Sequence, residues 1–233
     1  MGCVFGQPPN PLLRAIWLYA DDVMDARVRD AYAARAEEYI AALGSMDSVH
    51  PDDRELVSAW AKNVDGRMLD AGCGPGHWTE FIRTLGKDVE GVDIVPGFIA
   101  DAQSRFPDAP FRVGELTELG IPDASLAGLL SWYSVIHTPP TDVPAVLDEF
   151  ARCIAPGGTL LLAFFDGPSL EAFDHAVVTA YRWPVGAMAR ELERAGFNMI
   201  EPHTRAAVGH RPHAALVAQR KTVEPERAPE PER

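Results

Sequence analysis

Positive charge is in short supply in this chain. Its 233 residues carry 21 lysines and arginines against 34 aspartates and glutamates, a formal net charge of −13. A polyanionic partner needs a basic surface that displaces counterions, so nucleic acid is excluded as the partner class. The ordinary meaning of the acidic excess is a solvated surface. Cysteine is scarce too. Cys3, Cys73 and Cys153 lie far apart, and no pair has the spacing of a metal site or a disulfide framework. A reducing, cytoplasmic setting and no bound metal are therefore expected. Long apolar runs are also missing. The stretch from Pro11 to Ala20 is too short to span a bilayer and is interrupted by Arg14. No basic residue precedes it and no small-x-small cleavage signal follows, so neither a membrane segment nor a signal peptide is expected. Met1-Gly2 opens like a myristoylation site, but Gly6 stands where serine or threonine is required. There are no internal repeats.

What is present is a core. At 47% apolar residues the chain suits one compact α/β domain. Its organising stretch is Met68-Leu69-Asp70-Ala71-Gly72-Cys73-Gly74-Pro75-Gly76. An apolar run ends in an acid, glycines follow at alternate positions, and Trp78, Phe81, Ile82 and Leu85 then recur at helical spacing. This pattern predicts a strand, a tight loop and a helix whose first N–H groups face the loop. Alternating glycines can form a mere flexible turn. The preceding acid favours a ligand with a positive group over a pyrophosphate, and G-x-G-x-G departs from the dinucleotide fingerprint G-x-G-x-x-G.

The following strand, Val89 to Ile94, contains Asp93, one strand–helix–strand unit beyond Asp70. An acid there can accept hydrogen bonds from both hydroxyls of a ribose. Taken alone, an aspartate at a strand end serves equally as a turn residue or cap. Further strands are expected at Phe111 to Val113, Leu126 to Trp132, Thr159 to Phe165, from Phe197, and at Ala214 to Gln219. Helices are expected from Asn10-Pro11, over Asp21 to Leu43, from Pro51 through Ala61, over Asp142 to Ile154, and over Val185 to Ala195.

Asp70-Ala71-Gly72-Cys73-Gly74-Pro75-Gly76 resembles the first motif of the class I S-adenosylmethionine (SAM)-dependent methyltransferases, in the small-molecule branch whose loop reads D-x-G-C-G-x-G. The resemblance covers roughly residues 30 to 220. It implies a Rossmann-like α/β sheet of seven strands, the last antiparallel, with helices on both faces. Ala155-Pro156-Gly157-Gly158 and Ala195-Gly196-Phe197 match the family's L-x-P-G-G and A-G-F steps. By the same resemblance, Asp70, Gly72, Gly74 and Gly76 would receive the methionine part of SAM, Asp93 the ribose, and Ile94 would lie against the adenine. Glu115 and Leu116 stand where the family has D-A, and would take the adenine. Ser131 would line the floor near the sulfonium. Tyr32 and Tyr39 match an N-terminal Y-x(6–8)-Y lid, with Tyr32 closing it; their spacing also suits a packed helix face.

The acceptor side is less defined. The [DNS]-P-P-[YFW] motif of enzymes acting on nucleobase amino groups is absent, and Ser131 replaces the metal-binding aspartate of catechol-type enzymes. His137 is the titratable side chain placed to take a proton from an oxygen acceptor, although a histidine here can also simply pack or bond to backbone. Tyr133, His137, Tyr181, Arg182 and Trp183 are candidate walls of the acceptor pocket. The expectation is thus a methyltransferase that uses SAM, releases S-adenosylhomocysteine (SAH), and methylates oxygen or nitrogen on a small organic acceptor, as a monomer or homodimer. Residues 1–45 would form a helical lid or extension, 46–220 the SAM-binding domain, and 221–233 a disordered tail. Two rivals are an NAD-dependent oxidoreductase, for which no Tyr-x-x-x-Lys pair is found, and a SAM-binding protein without catalysis.

Overall fold

The computed structural model describes residues 26–206 and 211–222. The expected helix start at Asn10-Pro11 lies outside them, as does the C-terminal tail beyond Thr222. Residues 26–33 are helical (α1). There follow α2 (Ala36–Leu43), α3 (Pro51–Lys62), β1 (Met68–Ala71), α4 (His77–Thr84), β2 (Val89–Asp93), α5 (Pro96–Arg105), β3 (Phe111–Val113) and β4 (Leu126–Trp132). The chain continues through α6 (Val143–Cys153), β5 (Ile154–Asp166), β6 (Glu171–Phe173), β7 (Ala180–Trp183), α7 (Val185–Arg194), β8 (Phe197–Arg205) and β9 (His213–Arg220). No helix among the described residues is long and apolar enough to cross a membrane.

The sheet runs β3-β2-β1-β4-β5 in parallel, and β9 pairs antiparallel with both β5 and β8. β1 is buried along its whole length, as a strand covered on both faces must be, and it reads as a continuous apolar run broken only by Asp70. One apolar layer gathers α6, α7 and the underside of β4 and β5 around Phe150, Phe164 and Phe197. The other packs Trp60, Trp78 and Ile82 of α3 and α4 against Leu130 and Leu161. With helices on both faces, the carboxyl ends of the parallel strands are left as the open edge. The strand order reverses between β1 and β4 at that edge, which is where ligands bind in sheets of this kind.

The seven expected strands are present, and two more have been added. β5 runs past the end of β4, and its last residues, Phe165 and Asp166, pair with Arg182 and Trp183 of β7. β6 closes a short hairpin on β7. A hydrogen bond from Tyr181 N to Ile136 O, 2.8 Å, fastens this hairpin above the loop after β4. The helix expected over Asp21 to Leu43 is interrupted at residues 34–35. On one continuous helix, residues seven apart are about 10 Å apart along the axis. The break instead brings the rings of Tyr32 and Tyr39 edge to face, 5.4 Å between centroids. Around Pro156–Gly158 the chain enters β5 directly after α6, with a register shift opposite Leu126 and Gly128, instead of forming a separate turn.

Gly91 in β2 shows how tightly the first βαβ unit closes. A Cβ there would meet the Phe111 ring at 2.5 Å and Thr79 Oγ1 at 2.7 Å. Gly91→Ala is therefore expected to lower stability by about 1–3 kcal/mol through overpacking. Urea unfolding checks this: the midpoint should fall while the slope holds, and an unmoved midpoint would show that the unit has slack.

Candidate active site

The loop after β1 is held down by its neighbour strand. Gly72 N and Cys73 N both donate to Val92 O, at 2.7 and 3.0 Å. Gly72 has φ +79°, and a Cβ on it would lie 2.1 Å from Ser134 Cβ, so the loops after β1 and β4 touch only because that side chain is missing. Gly74 N donates to Asp93 Oδ2 at 2.8 Å, and Val95 N donates to the other carboxylate oxygen at 2.8 Å. Asp93 thus ties the glycine loop to the start of α5 while its side chain lines a large cavity. Burial pushes its carboxyl up to about 6, opposed by the backbone N–H groups of Val95, Gly74 and Ile94.

The cavity holds about 1410 Å3. Single small-molecule sites usually hold ~300–1,000 Å3, so there is room for two ligands end to end. Gly72, Gly74, Asp93, Ile94, Leu116, Tyr32, Tyr133 and His137 all line it, as the sequence reading requires of a shared site. Tyr39 and Arg182 line it too, whereas Asp70, Gly76, Ser131, Glu115, Tyr181 and Trp183 do not. Asp70 is 1% exposed and accepts a hydrogen bond from Thr79 Oγ1 at 2.6 Å, fastening α4 beneath the loop. Burial pushes its carboxyl up to about 7 against that bond. Gly76 forms the N-cap of α4 and faces Phe111. Ser131 is fully buried, with its hydroxyl 2.6 Å from that of Ser134. Glu115 bridges to Glu118 outside the main cavity.

Tyr181 and Trp183 are not cavity walls. In a strand, successive side chains alternate faces, so β7 turns both into the core and presents Arg182 between them to the cavity. Several lining residues escaped the sequence reading. Phe98 of α5 packs against Tyr39 with centroids 5.2 Å apart. His77, at the start of α4, lines the cavity with its Nδ1 unpartnered, and burial lowers its pKa to about 4. His175 lies 5.1 Å from the His137 ring, and its pKa is also lowered to about 4, chiefly by burial. Phe98 follows Asp93 by one helical turn's entry and was visible in principle. His77 and His175 lie in stretches with no pattern that singles them out.

His137 is 5% exposed. Its Nδ1 lies 2.9 Å from Thr179 O, a carbonyl that can only accept, so Nδ1 carries the ring proton. Nε2 is then the free base, and it accepts from Tyr32 Oη at 2.8 Å. Burial lowers the pKa of His137, which keeps the ring neutral, and raises that of the Tyr32 phenol well above its usual range. Tyr32 of α1 and the loop after β4 are therefore joined by one hydrogen bond.

Residues 68–158 match a family model described as a methyltransferase domain. The chain is 28% identical to a malonyl-[acyl-carrier protein] O-methyltransferase of Serratia marcescens over 156 residues, 67% of this chain and 59% of that one. It is 28% identical to a ubiquinone biosynthesis O-methyltransferase of Xanthomonas axonopodis, with 65% of each chain covered. The chain thus spans about three-fifths of the length of these relatives. The crystal structure of magnesium protoporphyrin IX methyltransferase from Synechocystis, with bound SAM, superposes with a TM-score of 0.69 at 19% identity, covering 85% of this chain and 97% of that one. The glycine loop and Asp93 meet at the reversal of a β3-β2-β1-β4-β5 sheet completed by an antiparallel β9, and residues 68–158, which span that meeting point, are similar to the methyltransferase domain of SAM-dependent enzymes.

Proposed function

We propose that this protein transfers the methyl group of SAM to a small organic acceptor. The observation that carries the reading is Asp93, a buried carboxylate that lines the cavity while binding the glycine loop through Gly74 N. The residues fit SAM. Asp93 keeps acceptor capacity for ribose hydroxyls, Ile94 and Leu116 offer apolar contact for adenine, and a Cβ at Gly74 would project into otherwise open space, its nearest neighbour being Tyr39 at 4.0 Å. Gly72 and Gly74 would pass along the methionine part. Asp70, Gly76 and Ser131 would support the loop from behind without touching the ligand, and Glu115 would reach the adenine only from outside the main cavity. Bound SAM supplies an activated methyl group, so the protein's task is to position the acceptor and keep water out. Tyr32, held by His137, serves the second purpose, with residues 1–45 read as a lid on the 46–220 domain. Relatives named as O-methyltransferases support a small acceptor, and they do not favour the oxidoreductase alternative.

Calorimetry tests the assignment. Asp93→Ala is expected to weaken SAM binding by roughly 2–4 kcal/mol, the loss typical of a charged hydrogen-bond partner in a buried site. Unchanged affinity would remove Asp93 from the cofactor site. A pH series gives an independent check. Ribose hydroxyls donate to the ionised carboxylate, and Asp93 in the free protein ionises near 6. SAM affinity should therefore rise as pH increases from about 5 to about 7.5 and then level off, and Asp93→Asn should flatten that rise. Tyr32→Phe removes the bond to His137 but not the ring, so SAM should dissociate several-fold faster with little change in stability. Equal dissociation rates in stopped flow would count against the lid.

A further inference from the structure

At the far end of the cavity, away from Asp93, lies a second group of titratable side chains. Tyr133 directly follows β4 and has φ +58°, a left-handed conformation that costs an aromatic residue about 1–2 kcal/mol. The strained backbone belongs to the turn that also seats Ser134 against Gly72, so Tyr133 stands between the cofactor loop and the acceptor end. Its ring lies between Phe165, 4.9 Å away, and Trp132, 6.1 Å away by centroids. Its hydroxyl is hydrogen-bonded to Nδ1 of His213 on β9. His213 is 4% exposed, and its Nε2 lies 3.8 Å from Asp53 Oδ1. Asp53 is gripped by both terminal nitrogens of Arg205, one at 2.9 Å.

These partners fix the direction of the protons. The carboxylate of Asp53, 3.8 Å from Nε2 of His213, is beyond hydrogen-bond length but repels a bare lone pair there, which favours the tautomer with the ring proton on Nε2 and Nδ1 bare. The phenol then donates to Nδ1, which leaves the lone pairs of Tyr133 Oη facing the cavity as acceptors. Burial lowers the pKa of His213 to about 4, partly countered by Asp53, so the ring is neutral at rest. A site that presents an acceptor atom selects a group that brings a hydrogen. A carboxylate ligand would meet it with like polarity.

We propose that Tyr133 is a catalytic residue that receives the O–H of a hydroxyl-bearing methyl acceptor, with His213, backed by Asp53, as its positioning partner. This rests on the methyl-transfer reading above. The acceptor's O–H bond breaks and its proton passes to Tyr133 Oη, whose own proton passes to His213 Nδ1. The acceptor oxygen gains the methyl group, and the former carbon–sulfur bonding pair stays on sulfur. One positive charge is lost at sulfur, and one appears on the imidazole facing Asp53, so charge is conserved.

The test uses full-length protein saturated with SAH, and 4-nitrophenol and 4-nitrobenzoate as probes of similar shape with and without the hydroxyl. The wild type should bind nitrophenol more tightly. Tyr133→Phe and His213→Gln should each weaken nitrophenol on the order of tenfold while leaving nitrobenzoate and SAH affinities unchanged. Nitrogen NMR of the wild-type histidine rings should show Nδ1 of His213 unprotonated and its resonance displaced in Tyr133→Phe, which gives the direction of that bond; the readout a merely structural contact would not move is the loss of nitrophenol affinity with nitrobenzoate and SAH affinities held. Preference for nitrobenzoate, equal nitrophenol binding in wild type and variants, no nitrophenol binding, or a protonated Nδ1 would each overturn the proposal. Failure of the wild type to bind SAH would instead overturn the methyl-transfer reading on which it rests.

Discussion

The structure depends on a carboxylate that serves two masters. Asp93 accepts one backbone N–H from the loop after β1 and another from the entry to α5. These two bonds hold together the pieces of chain on either side of the crevice. They also spend only part of the acceptor capacity of a carboxylate, which has about four lone-pair sites. The remainder faces the cavity. Asp70, one strand away, makes a complementary arrangement beneath the loop, where Thr79 anchors α4. Two acids buried this close raise one another's cost of ionisation, since Asp93 adds to the upward push on Asp70. That cost is tolerated where a cationic ligand is to arrive.

Much of this was legible in the sequence because it is local. The acid-then-glycine stretch named the loop, the spacing to Asp93 named its partner, and period and punctuation located the seven main strands. Asp70 shows where local reading stops. Its position in the motif was plain, yet whether it points at the ligand or at Thr79 depends on α4 folding back beneath the loop. Tyr181 and Trp183 fail for a related reason. The stretch is aromatic, but which alternate residues face inward is fixed by the pairing of β7 with β5, a contact between Arg182 and Phe165 that no local pattern encodes. Asp53, Arg205 and His213 meet across more than 150 residues of sequence and could not be found without the fold.

Several histidines line the cavity in a chain of strongly negative net charge. Burial lowers His77, His137, His175 and His213 alike. His137 and His213 each hydrogen-bond a tyrosine, Tyr32 of α1 in one case and Tyr133 at the end of β4 in the other. Behind each ring stands a second group, Thr179 O hydrogen-bonded to His137 Nδ1 and the Asp53 carboxylate 3.8 Å from His213 Nε2. The orientation of a phenol in the cavity is thus set by a group behind the histidine, out of reach of any ligand.

The β6–β7 hairpin joins the sheet only where β5 has outrun β4. Ala180 and Trp183 of β7 are buried in the core, whereas β6 is largely exposed, and the crevice beside Asp93 is built from other elements. The length and side chains of β6 can accordingly change without disturbing the parallel core. New chemistry at the mouth of the crevice would then arise by exchanging a roof tile, with the walls and foundations left standing.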